Sequence, residues 1–416
     1  MAFVAGSSQP PRSVDDHLRA VLADLSPLPP YEVPLLEALG LPVCEDVTAP
    51  NDLPRFDNSA MDGYAVRAAD VATASDETPQ SLPVAEESAA GSDRSFSLDP
   101  GEAIKIMTGA ALPAGADSVV PVEWTDAGSS TVRITRAPVP RQHVRPAGED
   151  VAAGDVVVSN GTVAGPRQIG VLAAVGRSRV LARPRPRVVV ISTGDELRDL
   201  GQPLGVDSIY DGNSYMLAAA VRAAGAIAYR VGVVSDQPQA FADGLSDQLG
   251  RADLVVTSGG VSKGEHDVVK EVLSKLGTVE FCEVGMQPGK PQGYGRVGDD
   301  SVPIFTLPGN PVSAYVSFEV FVLPALRRMM GRLPYRRPLV RARLTEDVRS
   351  LAGRRAYVRA KFRVTASGAE VAPVGGLGSH LIGDLAQANA LLLVEADAPG
   401  PAAGDLVNVL VLDRDF

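Results

Sequence analysis

Apolar positions between residues 184 and 331 follow two alternating patterns. Continuous runs in VVVIST, LVVTS and PIFTLPG are rich in β-branched residues, which favours buried strands. Between them, NSYMLAAAVRAAG and PQAFADGLSDQLG place apolar residues on one helical face, and SAYVSFEVFVLPALRRMMG forms a longer helical segment. Strands that alternate with helices of this length predict a multidomain α/β protein with a doubly wound, mostly parallel sheet here.

The stretch from Ala252 to Leu273 lies within this region. It predicts a buried strand, a turn at Gly259 and Gly260, and a helix after Asp267. A strand that runs through glycines into a helix start directs backbone N–H groups outward, which is typical of an anion site. For one glycine loop alone, a tight connection between strand and helix is the more common explanation.

The N-terminal part predicts two short helices and then strands. Ser13 is placed to cap a helix whose apolar stripe runs from Val14 to Leu25. VPLLEALG predicts a second short helix that ends at Gly40. Short strands and turns then predict a small β-rich domain over 51–142.

The remaining patterns complete a division into four domains. The prolines of ARPRPRV cannot continue a helix and predict a linker. Residues after Pro334 lack long helical periods and predict a C-terminal β domain. We therefore expect domain I at 13–50 with 143–183, domain II at 51–142, domain III at 184–331 and domain IV at 334–416.

Composition favours a globular protein with aliphatic cores. Of 416 residues, 45% are hydrophobic and 21% charged, and the length alone suggests about three domains. The net charge of -11 argues against nucleic-acid binding, because a phosphate backbone requires a basic surface. MAFVAGSSQPPRS lacks the features of a signal peptide, and no run approaches a membrane span.

Cysteine and histidine are too sparse for a structural metal site. Cys44 and Cys282 are the only cysteines, which excludes a disulfide framework and any multi-cysteine zinc or iron–sulfur site. The four histidines are scattered and show no metal-ligand spacing. We therefore expect a reduced, cytoplasmic setting.

Three acidic residues follow predicted strand ends in domain III: Glu196 in STGDEL, Asp236 in VVSDQP and Asp267 in GEHD. Singly, each has a simpler explanation, because Glu196 fits a solvated helix start and the two aspartates fit helix caps. The carboxyl ends of parallel strands meet at the ligand-binding edge of such a sheet. Together, the three acids favour a site for a metal ion and a phosphate group.

Two proline-flanked loops also follow strands of domain III. TLPGNPVSAY sets Gly309 and Asn310 between prolines before a helix, and MQPGKPQGYG carries Lys290 on a stiff turn. Proline fixes φ and removes a donor, and Lys290 can pair with an oxyanion. The alternatives are a rigid helix entry and one exposed lysine. Competing nucleotide motifs are absent: no G-x-G-x-x-G follows a strand, and Glu265 replaces the P-loop lysine.

Seven motifs occur in a specific order: FDNSAMDGYAV, IMTGAALPAGADSVV, RPAGEDV, ISTGDEL, SGGVSKGEHD, QPGKP and LPGNPVSA. Over roughly 13–416 they resemble the molybdopterin molybdenumtransferase family, the enzymes that insert molybdate into the molybdenum cofactor. The resemblance implies an elongated homodimer whose domain I is the elongated part, whose domain III is similar to the molybdopterin adenylyltransferases, and whose domain IV is barrel-like. It places the active site between domain III and domain II of the partner subunit.

The resemblance implies that adenylylated molybdopterin and molybdate, with Mg²⁺, yield molybdenum cofactor and AMP. Catalytic positions of the family correspond to Asp62, Thr108, Asp150, Glu196, Asp236 and Asp267, and the last three are the implied Mg²⁺ ligands. Substrate-binding positions correspond to Arg145, Ser258, Gly259, Gly260, Ser262, Lys263, Lys290, Pro308, Gly309, Asn310, Pro311 and Ser313. Further implied partners are a molybdopterin adenylyltransferase and apo-molybdoenzymes, with no nucleic acid or membrane.

The chain departs from the family at two positions. Glu283 and Gln287 stand where some members carry lysines, so only Lys290 remains in this turn. Two lost cations weaken attraction for a polyanionic substrate, and Lys263 is a candidate for compensation.

Three other functions are less consistent with the sequence. An adenylyltransferase is disfavoured by three extra domains, and a non-catalytic scaffold by the intact acids Asp62, Glu196, Asp236 and Asp267. A dinucleotide-dependent oxidoreductase is disfavoured by the missing glycine fingerprint.

Overall fold

The computed structural model describes residues 11–91, 94–235, 237–260, 268–275, 278–349, 352–414 and 416. The chain forms two compact units. The large unit comprises 1–31, 40–42 and 183–416, and the small unit comprises 32–39 and 43–182. No helix of the described part combines the length and the apolar character that crossing a membrane requires.

Helices occur in both units. They are α1 (Val14–Asp24), α2 (Pro166–Ala174), α3 (Gly212–Ala223), α4 (Pro238–Leu249), α5 (Val268–Lys275), α6 (Pro311–Ser317), α7 (Leu323–Met329) and α8 (Ile382–Gln387). Short 3₁₀ turns cover Leu35–Ala38, Ala68–Val71 and Val122–Trp124.

A π-helical turn, Phe318–Val322, joins α6 and α7 into the long helix that the sequence predicts. Leu323 N–H donates to the Phe318 carbonyl, five residues earlier. Pro324 follows at once, and proline cannot donate the next helical hydrogen bond. A wider turn at this point lets the helix continue past the proline.

The small unit is built from short strands. These are β1 (Tyr31–Pro34), β2 (Val47–Thr48), β3 (Asn58–Ser59), β4 (Gly63–Val66), β5 (Gln80–Ser88), β6 (Ala103–Ile106), β7 (Ser118–Pro121), β8 (Thr131–Ile134), β9 (Val144–Arg145), β10 (Val156–Val158) and β11 (Arg179–Ala182). Five of them form a sheet in the order β7-β4-β6-β5-β8. The other strands pair as β1–β11, β2–β10 and β3–β9.

The helix predicted for VPLLEALG is wrong. Tyr31–Pro34 forms strand β1 instead, paired with β11, and only Leu35–Ala38 makes a 3₁₀ turn. So short an apolar run cannot sustain a helix by itself, and pairing with a distant strand decides its conformation. Gly40 does end the turn, with a positive φ of 78°.

The large unit contains the predicted doubly wound sheet. The strands in this part of the chain are β12 (Arg187–Ser192), β13 (Leu197–Arg198), β14 (Ile209–Tyr210), β15 (Ile227–Arg230), β16 (Leu254–Ser258), β17 (Glu280–Glu283), β18 (Met286–Gln287), β19 (Pro291–Val297) and β20 (Val302–Leu307), of which β13, β14 and β18 lie outside the main sheet. The main sheet has the order β15-β12-β16-β20-β19-β17, and its first four strands are parallel. Apolar cores cover both faces, which explains why these strands are continuously apolar.

Helix α1 belongs to this unit, although it precedes the small unit in sequence. Ser13 caps it, as predicted, because its Oγ accepts a hydrogen bond of 3.0 Å from the Asp16 N–H. Leu18 and Val21 enter the same core as the long helix, and His17 stacks edge-on against Phe321 at 4.8 Å.

A closed β-barrel follows the doubly wound sheet. Its strands are β21 (Leu339–Leu344), β22 (Arg355–Thr365), β23 (Gly368–Pro373), β24 (Ala390–Val394) and β25 (Leu406–Val411). They pair in the order β22-β23-β21-β25-β24, and β24 pairs back with β22 to close the ring. The predicted barrel-like C-terminal fold is confirmed, with an aliphatic interior.

Candidate active-site cleft

Three loops of the large unit meet at one edge of the main sheet. Ser192, at the end of β12, lies in register with Ser258, and Ser258 lies in register with Leu307 at the end of β20. The chain therefore leaves three neighbouring parallel strands at the same level. The next residues are the STGDE, SGG and LPGNP segments that the sequence singled out.

These loops line a cleft of about 620 Å³. Six of the predicted site residues line it: Glu196, Ser258, Gly259, Gly309, Asn310 and Pro311. The other lining residues are Thr193, Leu197, Ile209, Tyr210, Asp211, Gly212, Asn213, His380 and Ile382. Apolar and polar side chains are therefore mixed, as in sites for small organic ligands.

Gly259 has a specific structural requirement. Its φ is +102°, and a Cβ there would lie 2.8 Å from the Thr193 carbonyl oxygen. Its N–H donates to the Leu307 carbonyl at 3.1 Å, and Gly260 follows with a φ of 70°. Glycine is required because the SGG loop passes close to the β12 loop in a left-handed conformation.

Glu196 carries an exposed carboxylate on the cleft. Its side chain folds back over Gly194, where an added Cβ would lie 2.7 Å from Glu196 Oε2. The absence of a side chain at Gly194 therefore makes room for the carboxylate.

The LPGNP loop is held from the barrel side. Asn310 Nδ2 donates to Ser379 Oγ at 3.0 Å, and the Val312 N–H donates to the Ser379 carbonyl at 3.0 Å. Pro308 and Ser313 are buried and do not line the cleft. Among the predicted residues of this loop, Gly309, Asn310 and Pro311 present the accessible surface.

Lys290 lies elsewhere in the large unit, in an ion pair. Its Nζ is 2.7 Å from Glu283 Oε2. One of the two departures from the family pattern therefore contacts the remaining lysine directly. The other, Gln287, has a buried Oε1 without a hydrogen-bond partner among the described residues.

The small unit holds four predicted residues. Asp62 Oδ1 accepts two hydrogen bonds of 2.7 Å from Thr108, one from the backbone N–H and one from the hydroxyl. Together these bonds, led by the backbone one, hold the pKa of Asp62 below its usual range. Arg145, on strand β9, and Asp150, in the loop after it, are exposed in the same unit. The MDGYA and MTGA motifs, which are 46 positions apart, thus come together to hold the Asp62 carboxylate in its ionised form.

Four predicted residues, Asp236, Ser262, Lys263 and Asp267, lie outside the described residues. Within the described ranges, no group of three or more His, Cys, Asp or Glu side chains is placed to hold a metal ion.

Sequence reasoning missed several cleft residues, among them Asp211 and Asn213. Asp211 caps α3, and Asn213 Nδ2 donates to both Ser258 Oγ and the Gly309 carbonyl. The motif YDGNS signals a helix start, and we predicted one near Asn213, but a cap pattern does not reveal a contact with two distant loops. Ser379 and His380 were missed because they lie between strand β23 of the barrel and helix α8, far in sequence from the main sheet.

The fold defines a multidomain α/β protein with a cleft at the carboxyl edge of a doubly wound sheet, the edge at which enzymes of this class bind ligands. Three family models match the chain: "MoeA N-terminal region (domain I and II)" over 12–176, "Probable molybdopterin binding domain" over 189–328 and "MoeA C-terminal region (domain IV)" over 341–412. The chain belongs to the molybdopterin molybdenumtransferase family, and it is a transferase of molybdenum cofactor biosynthesis.

Several relatives match almost end to end. Molybdopterin molybdenumtransferase 2 of Mycobacterium tuberculosis is 46% identical over 404 residues, which cover 96% of this chain and 99% of that protein. Molybdopterin molybdenumtransferase 1 of the same organism is 41% identical over 421 residues, with the same coverage of 96% and 99%. The crystal structure of a molybdopterin biosynthesis MoeA protein from Pyrococcus horikoshii superposes with a TM-score of 0.83 at 31% identity, covering 97% of this chain and 99% of that one.

Proposed function

We propose that the protein inserts molybdenum from molybdate into adenylylated molybdopterin and releases AMP. The observation that carries the proposal is the convergence of the STGDE, SGG and LPGNP loops on one cleft. An adenylylated pterin brings a pyrophosphate group, and molybdate brings a tetrahedral oxyanion. A single cleft with two loops rich in glycine and proline suits two anionic ligands side by side.

In this proposal the SGG loop binds the pyrophosphate group. Gly259 lets the backbone approach the group closely, and the Gly260 N–H is the proposed donor, because the Gly259 N–H already donates to the Leu307 carbonyl. Gly309, Asn310 and Pro311 bind the oxyanion, since Pro311 begins helix α6 and its fixed φ orients the remaining donors of the loop. Tyr210 and Ile209, which line the same cleft, offer an aromatic and an apolar surface to the pterin ring.

Mg²⁺ fits one carboxylate of the cleft. Magnesium retains several waters and is commonly bound by one or two carboxylates together with substrate phosphates. The exposed carboxylate of Glu196 meets that requirement, and Asp236 and Asp267 are further proposed ligands. When bound, the ion neutralises negative charge on the phosphoanhydride.

We further propose that the active protein is a homodimer in which Asp62 and Thr108 of one subunit complete the cleft of the other. The bonds from Thr108 keep Asp62 ionised and fixed in orientation. Arg145 and Asp150 belong to the same proposed surface, and Lys263 and Lys290 supply cationic charge toward the substrate.

The chemistry also suggests the neighbours of this reaction. An adenylylated pterin must come from a molybdopterin adenylyltransferase, and the product must pass to apo-molybdoenzymes. We propose a cytoplasmic location for the protein and its four domains as bounded above.

Reconstitution tests the proposed reaction. Purified protein is combined with adenylylated molybdopterin, Mg²⁺ and molybdate, and we expect AMP release together with activation of an apo-molybdoenzyme. Glu196→Gln should lower kcat by about 10²-fold if its carboxylate acts at the anhydride. No AMP release, while a characterised molybdenumtransferase is active in parallel, would sink the proposal. ATP-dependent adenylylation of molybdopterin would instead indicate an adenylyltransferase.

A further inference from the structure

One side chain, Asn213, connects two of the three cleft loops. Its Nδ2 lies 2.9 Å from Ser258 Oγ in the SGG loop and 2.6 Å from the Gly309 carbonyl oxygen in the LPGNP loop. A carbonyl oxygen can only accept a hydrogen bond, so the contact with Gly309 identifies Nδ2 as the atom that faces the loops. Both amide hydrogens of Asn213 are therefore used between the loops.

The backbone around Asn213 is firmly held. Asp211 is 1% exposed and caps α3, accepting a hydrogen bond of 3.0 Å from the Ser214 N–H and another from the Ser214 hydroxyl. The Asp211 N–H donates to the Arg198 carbonyl at 3.0 Å. Asn213 thus extends from a helix start that is held in place. Its amide can therefore fix the distance between the two loops instead of moving with them.

The contact continues beyond Ser258. Because Ser258 Oγ accepts from Asn213, its own hydrogen can point to the Pro308 carbonyl, 3.5 Å away. The far side of the LPGNP loop is held by Ser379. The LPGNP loop is therefore held by Ser379 from the barrel side and by Asn213 from the cleft side.

We infer that Asn213 is a positioning residue that sets the spacing between the pyrophosphate-binding loop and the oxyanion-binding loop. The inference rests on the proposed function, because it concerns how the two anionic substrates meet. Each substrate binds mainly to one loop, so each should still bind when Asn213 is lost. The reaction needs both in register, and a misplacement of about 1 Å can cost about 10²-fold in rate.

Two substitutions separate hydrogen bonding from packing. Asn213→Ala removes the side chain, whereas Asn213→Leu keeps its branched shape without either donor. The matched control is Asn389→Ala in the barrel, because Asn389 also makes two hydrogen bonds, at 2.7 and 3.0 Å, to the backbone of Phe362. Asn389 lies outside the cleft.

For each variant we would measure kcat for AMP release, the Kd of adenylylated molybdopterin without molybdate, and Tm. In both Asn213 variants we expect kcat to fall about 10- to 100-fold while this Kd stays within about threefold of wild type. The retained Kd also reports that the variants are folded. Asn389→Ala should lower Tm but keep kcat.

The inference fails if Asn213→Leu keeps wild-type kcat, since packing alone then explains the residue. It also fails if kcat is unchanged in both variants, or if substrate affinity falls in parallel with kcat. An inert wild-type protein beside an active control enzyme would overturn the proposed function and this inference together.

Discussion

Lys290 and Glu283 form an ion pair in the turn that the resemblance assigns to substrate binding. The pair is 2.7 Å long, and the side chains are 29% and 40% exposed. A pair at this exposure contributes little to stability, about 0–1 kcal/mol. Its main consequence is electrostatic, because a carboxylate stands beside the lysine that the resemblance assigns to substrate binding.

Removing that carboxylate should improve substrate capture. We expect Glu283→Gln to lower KM for adenylylated molybdopterin about threefold at low salt, with Tm nearly unchanged. Glu280→Gln is the matched control, because Glu280 lies on the same strand, β17, and pairs with Arg12 instead. An unchanged KM for Glu283→Gln, or an equal change in both variants, would exclude a role for the Glu283–Lys290 pair.

At the same scale, the residues that line the cleft could be predicted where motifs are short and local. Glu196, Gly259 and Asn310 were found because strand ends and turn residues leave a direct mark on the sequence. Asn213 was not predicted as a cleft residue, because its partners Ser258 and Gly309 are 45 and 96 positions away in the sequence. A contact at such a separation becomes visible only when the sheet brings the loops together.

Secondary-structure elements agreed with the local hydrophobic periodicity where that periodicity extends over a long segment. The alternating strands and helices after residue 184 were predicted correctly, because each is buried by its neighbours in the way its periodicity demands. The conformation of VPLLEALG was predicted wrongly, because strand β11 supplies a pairing partner that the local sequence does not contain. The π-helical turn before Pro324 could not be predicted either, because proline in a helical run more often signals an end or a kink.

Helix α1 contains a buried titratable residue, His17, with an exposed fraction of only 3%. Burial, reinforced by the charge of Arg12 and opposed by Glu280, lowers the pKa of His17 from 6.5 to about 4. Cys282 Sγ lies 3.6 Å from its Nδ1. The folded protein therefore keeps this imidazole neutral at pH values where the unfolded chain protonates it.

Stability should consequently fall as the solution is acidified. The unfolded state binds the proton below pH 6.5, and the folded state binds it only near pH 4, so the loss develops between these values. A shift of this size corresponds to about 3 kcal/mol. We expect His17→Gln to flatten the dependence of Tm on pH between 7 and 4 relative to wild type. Parallel curves for the two proteins would contradict a buried, neutral His17.

The whole molecule divides into two units whose chain segments are interleaved. The three family models cover most of its length in the expected order. Motifs spread along the sequence were enough to predict the family, whereas the bounds of the four domains stay a prediction. The shared active site also stays a proposal, because it concerns two copies of the chain.

Subunit complementation tests that proposal. Asp62→Ala and Glu196→Ala are each expected to be inactive. If Asp62 acts in the partner's cleft, a mixed dimer has one site with both residues intact and one site with neither. Unfolding and refolding the two variants together in equal amounts should then restore about a quarter of wild-type AMP release, since half of the dimers are mixed. No recovery, with mixed dimers verified by tags, would place Asp62 and Glu196 in the same subunit's site or exclude a joint role.

The interleaving of the units also affects how the chain is made. Arg12 pairs with Glu280, and Asp24 with Arg296, across separations of 268 and 272 residues. At ribosomal speeds of about 5–20 residues per second, α1 leaves the ribosome roughly 15–55 s before these partners exist. During that interval the small unit, which has apolar cores of its own, can fold while the apolar stripe of α1 stays exposed. The newly synthesised protein should therefore be a chaperone client until the sequence beyond residue 296 has emerged.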